Sequence, residues 1–146
     1  MDTKHGSECV TRRVRVRVHP AYLPDHSHPN ESKFVFGYRI RISNEGDVRV
    51  RLVSRHWVIV DGDGTRREVK GDGVVGQQPE LAPGAFFEYS SYCPLEHPWG
   101  TMEGSYQMVD HLGERFEVRI ERFYLVSEFA EAGAGEGEDR PGDAGL

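Results

Sequence analysis

The chain has 146 residues, 37% hydrophobic and 29% charged, with a net charge of −6 and two cysteines. That length suits one domain whose core needs neither a disulfide framework nor a structural metal, and no apolar run approaches the roughly 18 residues that span a bilayer. The opening MDTKHGSECV lacks the apolar stretch of a signal peptide, so a cytoplasmic protein with Cys9 and Cys93 as reduced thiols is expected.

The charge is unevenly spread. Residues 128–146 hold six acids and one arginine among Gly and Ala, a composition that cannot repay the entropy of ordering. A disordered acidic tail is therefore expected from 128, and a second disordered tail over 1–9. The body between them, 10–127, is neutral, with 16 basic and 16 acidic residues, but its basic residues lie mostly before residue 70 and its acidic ones after.

Along that body the apolar period is two. Val14, Val16 and Val18 alternate with Arg13, Arg15 and Arg17, the pattern of a half-buried strand. A loop, YLPDHSHPNES, leads to KFVFGYRIRIS, which places Phe34, Phe36, Tyr38, Ile40 and Ile42 on one face and Arg39 and Arg41 on the other. NEGD at 44–47 turns the chain into VRVRLVSRHWVIVD, where Val48, Val50 and Leu52 point inward before Trp57 and Ile59 take the opposite phase. A bulge near 53–55 accounts for that change.

DGDG at 61–64 is a hairpin turn followed by the short strand TRREV; Asp61 and Asp63 read as turn carboxylates, because the later glutamate of a calcium loop is missing. Residues 71–106 mix glycine, proline and aromatic residues, and read as a shaped loop feeding strands. AFFEYSS, EGSYQMVD and RFEVRIERFYLVS supply further strands, the last with a second bulge near Glu121. About seven strands with no credible helix predict an antiparallel β-sandwich, with a small barrel as the competing fold.

Three constellations carry possible chemistry. GDGVVG satisfies GxGxxG, but Pro79 and Pro83 deny it the helix that a dinucleotide motif needs, leaving at most an anion nest of Arg66, Arg67, Lys70, Gly71, Gly73 and Gly76. Asp25, His26 and His28 form the metal candidate, offering one carboxylate and two imidazoles within one loop. The outward arginines Arg13, Arg15, Arg17, Arg39, Arg41, Arg49 and Arg51 could assemble a basic face, balanced in part by Glu114, Glu117 and Glu121. Nucleic-acid binding fits poorly, because no aromatic residues interleave with these arginines. Ser90, Ser91, Cys93 and His97 are near one another in sequence, yet nothing in their spacing assembles a nucleophile and base.

Several ordered motifs, in LVSRHWVIVDGDG, VKGDGVVGQQPELAPGAFFEYSS and GTMEGSYQMVDHLGERFEVRIERFYL, resemble the ApaG family over about residues 10–126. They include Arg55-His56-Trp57, Gln78-Pro79, Pro83-Gly84 and Gly100-x-Met102-x-Gly104-x-Tyr106. The resemblance implies an immunoglobulin-like or fibronectin type III-like sandwich, no established reaction, and an association with cobalt and magnesium tolerance or efflux. Copies of the domain in eukaryotic F-box adaptors look like protein-binding modules. The chain departs from the family pattern at Tyr92 and Cys93, which follow Ser90-Ser91, and at Glu121, which stands where a proline is common.

Together these readings predict a non-catalytic protein-interaction module without a cofactor, binding an unidentified protein partner through Trp57, Gln78, Pro79, Tyr92 and Trp99. The alternative is a small-ligand sensor for a nucleotide polyphosphate at GDGVVG or a divalent cation near Asp25, His26 and His28. Neither reading calls for nucleic acid or membrane.

Overall fold

The valine and arginine alternation that opens the body becomes a strand with every valine inside: Val14, Val16 and Val18 are each buried. A computed structural model describes residues 4–130 of the chain. Its strands are β1 (Ser7–Thr11), β2 (Val14–Tyr22), β3 (Phe34–Asn44), β4 (Val50–Asp61), β5 (Arg66–Asp72), β6 (Glu80–Leu81), β7 (Phe86–Leu95), β8 (Trp99–Asp110) and β9 (Arg115–Val126). Two short 3-10 turns, Pro24–His26 and Pro29–Glu31, lie between β2 and β3.

All pairings are antiparallel. The first sheet runs β1-β2-β3-β7, and the second runs β5-β4-β8-β9 with β6 beside the start of β4. The predicted sandwich is therefore observed, with two strands, β1 and β6, beyond the seven expected. Between the sheets lie Phe36, Ile40, Leu52, Met102, Met108, Ile120 and Phe123, all nearly free of solvent. Each such side chain stabilises the fold by about 1.5–3 kcal/mol relative to an exposed one.

Both predicted bulges are present. The register of β4 against β8 shifts between Leu52 and Ser54, and that of β8 against β9 between Met102 and Gly104, opposite Glu121 and Arg122. Gly104 is required by close approach: a Cβ there would meet the His56 carbonyl oxygen of β4 at 2.0 Å. Only glycine lets β8 lie that near its neighbour.

The two long seams of the sandwich differ. On one side the β1 and β9 edges are stitched together: Tyr124 N donates to His5 O at 2.9 Å, Arg119 N to Thr11 Oγ1 at 3.1 Å, and Ser7 Oγ to Glu121 O at 2.7 Å. On the other side β5 and β7 are sheet edges that do not pair with each other. The barrel alternative fails at this open seam.

Four expectations need correction. Residues 7–9 belong to β1, paired with β2, and are not part of a disordered tail. The hairpin was hidden because its turn residues, Arg12 and Arg13, adopt left-handed φ of 48° and 67° without the usual Gly or Asn. Residues 128–130, expected in the acidic tail, are described and pack: Ala130 is buried and the Phe129 ring stands edge-on to Phe34 and Tyr22, with centroids 6.2 and 6.4 Å away. The remainder of that expected tail, 131–146, and residues 1–3 lie outside the described residues. Finally, Val48 lies outside the strands and is exposed, and much of 71–106 is regular strand, since β7 continues through Pro94 to Leu95. An edge strand tolerates that proline because the missing N–H belongs on the unpaired side.

Candidate functional site

Among the described residues, strand β7 combines a free edge with an exposed aromatic. Asn44 N donates to Ala85 O at 2.9 Å, which fixes the alternation of the β3–β7 ladder. Backbone groups of Phe87, Tyr89 and Ser91 accordingly face β3, whereas those of Phe86, Glu88, Ser90 and Tyr92 face away from the sheet. Their side chains lie on the outer face, where Tyr92 is 69% exposed and Phe86 51%.

Tyr92 stands between two cavities. On the outer face a groove of about 680 Å³ has Leu23 and Val35 at its apolar base and His26, His28, Lys33 and Tyr92 around it. Gly37 is Tyr92's cross-strand partner, and the space its absent side chain leaves is filled by Leu23, which packs onto it. At the open seam a smaller cavity of about 260 Å³ is lined by Tyr38, Trp57, Met102, Arg55, Arg67 and again Tyr92. Arg67 crosses this seam from β5, donating to Pro94 O at 2.7 Å and lying 3.5 Å from the Cys93 sulfur. The edge thus offers backbone pairing, an aromatic anchor and recesses on both sides of it, the set of features used in strand addition.

Of the five predicted partner-binding residues, Tyr92 is exposed on the β7 edge, whereas the two tryptophans are buried. Trp57 is 3% exposed and Trp99 9%, Trp57 packing edge-on to Tyr38 and Phe123 with centroids at 5.5 and 5.8 Å. Large aromatics on inward strand phases repay burial in the core, so neither is available to anchor a partner. Gln78 is exposed but its amide donates to Val53 O at 2.9 Å, and Pro79 O accepts from Leu52 N at 3.0 Å. Both fasten the loop to β4.

In the GDGVVG segment the amides of Gly73 and Val74 are already engaged. Gly73 N donates to Val53 O, and Val74 and Gln77 exchange N–H to C=O bonds, all at 2.8 Å. Arg55 Nη1 donates to the carbonyls of Asp72 and Gly73 at 3.0 and 2.9 Å, so the loop turns oxygens towards its nearest arginine. A Cβ at Gly71 would strike that same guanidinium at 2.8 Å. Gly73 and Gly76 serve positive φ of 61° and 80°. Arg66 pairs with Glu68 at 3.1 Å, Arg67 serves the seam, and Lys70 lines a shallow recess with Asp72 and Glu117. The structure does not gather Arg66, Arg67, Lys70, Gly71, Gly73 and Gly76 around one anion cradle.

Asp25, His26 and His28 all border the outer-face groove beside Tyr92, a juxtaposition with no signal in the sequence. Among the described residues, however, the donor atoms that converge to within 4.8 Å belong to Asp61, Asp63 and His97. The two aspartates act first as the turn residues they were read to be: Asp61 Oδ1 accepts from Gly62 N at 2.8 Å and Asp63 Oδ1 from Thr65 N at 3.0 Å. His97 Nδ1 then lies 3.0 Å from Asp61 Oδ1, and Asp61 Oδ2 accepts from Glu96 N at 2.9 Å, which fastens the β7–β8 loop to the hairpin. The Thr65 bond holds the Asp63 carboxyl below its ordinary range. The DGDG turn was visible in sequence; the arrival of His97, 36 residues after Asp61, was not.

No nucleophile is assembled from Ser90, Ser91, Cys93 and His97. Cys93 is 3% exposed and burial pushes its thiol upward, away from the thiolate that reacts. His97 is turned to the aspartates.

The fold and its surface define an all-β sandwich with one stitched and one open seam, the open one bordered by the exposed Tyr92 of β7. An ApaG domain family model matches residues 24–110. Protein ApaG of Rhodospirillum centenum is 53% identical over 118 residues, covering 81% of this chain and 91% of its own length. Protein ApaG of Anaeromyxobacter dehalogenans is 48% identical over 120 residues, 82% of this chain and 94% of that one. Among solved structures, the putative ApaA protein of Bordetella pertussis superimposes with a TM-score of 0.77 at 49% identity, covering 79% of this chain and 94% of its own. The chain belongs to the ApaG family. No helix among the described residues is long and apolar enough to cross a membrane.

Proposed function

We propose that this chain is a non-catalytic interaction module that binds a protein partner by strand addition to β7, with the Tyr92 ring as the anchor. The observation that carries this reading is the position of Tyr92: exposed, on an unpaired edge, and shared by two cavities. The opposite open edge, β5, reads RREVKGD, whose charges discourage pairing, whereas β7 presents Phe86 and Tyr92. A partner segment with an apolar side chain suits the Leu23 and Val35 base of the outer groove.

The test compares capture by immobilised wild type, Tyr92→Ala and Ser90→Pro. Proline at 90 removes an outward-facing donor and leaves the β3 ladder intact. A partner held by wild type and lost from both variants, with melting temperatures unchanged, is the expected result. The same bound set for all three proteins would refute the reading.

A second reading, a divalent-cation sensor, is favoured by the convergence of Asp61, Asp63 and His97. Two carboxylates and one imidazole suit a hard or intermediate cation such as magnesium or cobalt. Calorimetric titration of wild type and Asp63→Asn with magnesium and cobalt chloride decides it; absence of saturable heat in wild type excludes that reading.

A further inference from the structure

The outer face of the first sheet holds a second groove, of about 550 Å³, lined by Arg17, His19, Arg39 and Arg41 with Glu8 and Glu88 at its margins. Register places Arg17 directly opposite Arg41, and His19 directly opposite Arg39. These four groups therefore occupy the corners of a rectangle of roughly 5 by 7 Å on one sheet face.

Like charges opposed across a ladder destabilise it. In the Arg17–Arg41 row the outer columns partly compensate: Arg17 Nε lies 3.4 Å from Glu8 Oε2 and Arg41 Nη1 lies 3.7 Å from Glu88 Oε2. Arg41 also lies over the Phe86 ring, 3.7 Å from its centroid. The adjacent row has no such relief. Arg39 faces Ser90 on β7 and, among the described residues, its guanidinium makes no ion pair or hydrogen bond. His19 supplies no counter-charge: its Nδ1 is shielded from solvent and, among the described residues, has no hydrogen-bond partner.

We propose that this groove binds a phosphate-bearing small molecule, a phosphomonoester or a diphosphate. Guanidinium forks are matched to oxyanions, and phosphate has three free oxygens to share among several donors where a carboxylate has two. A ligand there meets the unpaired Arg39 guanidinium and lies between the charges of Arg17 and Arg41. The site lies on the opposite sheet from GDGVVG and is independent of the β7 edge reading.

The test is an amide chemical-shift titration of the full chain with inorganic phosphate and with pyrophosphate, against sodium sulfate at matched ionic strength. Saturable shifts are expected in residues 17–19 and 39–41, with pyrophosphate binding more tightly than sulfate. Arg39→Gln, which removes no existing contact, is expected to weaken pyrophosphate binding roughly tenfold. Glu88→Gln, which removes a competing carboxylate, is expected to tighten it, and Lys70→Gln to leave it unchanged. The proposal is overturned by flat spectra at millimolar pyrophosphate, by equal affinity for sulfate, by shifts centred on 71–76, or by an Arg39→Gln protein that binds as wild type does.

Discussion

The Tyr89 hydroxyl of β7 meets the Tyr106 hydroxyl of β8 at 2.5 Å, a buried hydrogen bond that links the two sheets across the core. Tyr106 is fully buried and Tyr89 nearly so, so each hydroxyl depends on the other for its partner. Removing one oxygen strands the other. Tyr89→Phe and Tyr106→Phe are each expected to cost about 1–3 kcal/mol, and the double variant less than their sum. A double-mutant cycle by urea unfolding measures this; strict additivity would deny the coupling.

The same burial sets behaviour in alkali. Desolvation raises the phenol pKa of Tyr38, Tyr89 and Tyr106 above the ordinary 10.0. Because the folded values exceed the unfolded one, their contribution is fully present below pH 10 and is lost as pH rises through the folded values. Tyrosinate absorbance of Tyr89 and Tyr106 is expected to appear only together with unfolding, followed by ultraviolet absorbance and circular dichroism in parallel. On the acid side the sign reverses. Glu68, held below its ordinary 4.5 chiefly by His56 and then Arg66, contributes above that value and loses its contribution as pH falls through the lowered one.

Asn44 ends β3 and ties three segments together. Its side-chain amide donates to Val48 O at 2.8 Å and Leu81 O at 3.0 Å, and its Oδ1 accepts from Gly46 N at 3.0 Å. At 2% exposure no water replaces these bonds. Asn44→Ala is expected to cost about 2–4 kcal/mol from two carbonyls and one amide left wanting. Asn44→Asp is expected to cost as much, because it places an acceptor against two carbonyls. Thermal melts of both variants check the pair.

Gly104→Ala is expected to destabilise by at least about 2 kcal/mol, since its methyl would overlap the His56 carbonyl unless β8 moved away from β4. Gly113→Ala makes a useful comparison: it has positive φ of 81° but open space, so its cost is conformational, about 1 kcal/mol. Denaturant midpoints of the two variants separate contact from backbone strain.

Val75 has φ of 42° at an exposed turn, an unfavourable conformation for a β-branched residue. Val75→Asn is expected to stabilise by about 0.5–1 kcal/mol, because asparagine tolerates the left-handed region. A midpoint unchanged or lowered in urea would show that Val75 packing outweighs the strain.

The sandwich was legible residue by residue, because burial on one face of a strand writes a period of two: Phe34 to Ile42, Val14 to Val18 and Phe123 to Leu125 all turned inward as their phases required. Both bulges were legible as well, since an extra residue reverses that phase. The turn role of Asp61 and Asp63 was equally legible, being local chemistry.

The remaining features depend on residues far apart along the chain. Trp57 and Trp99 looked like anchors only while their depth was unknown, and burial is a property of the packed sheets. GDGVVG looked able to cradle an anion, but Val53 O at the β4 bulge holds the Gly73 amide and Gln77 O holds that of Val74. The opposition of Arg17 and Arg41, the approach of His97 to Asp61, and the isolation of Tyr92 on an unpaired edge follow from strand register and sheet order. Alternation assigns a side chain to a face, but the long-range pairing of strands decides its neighbours.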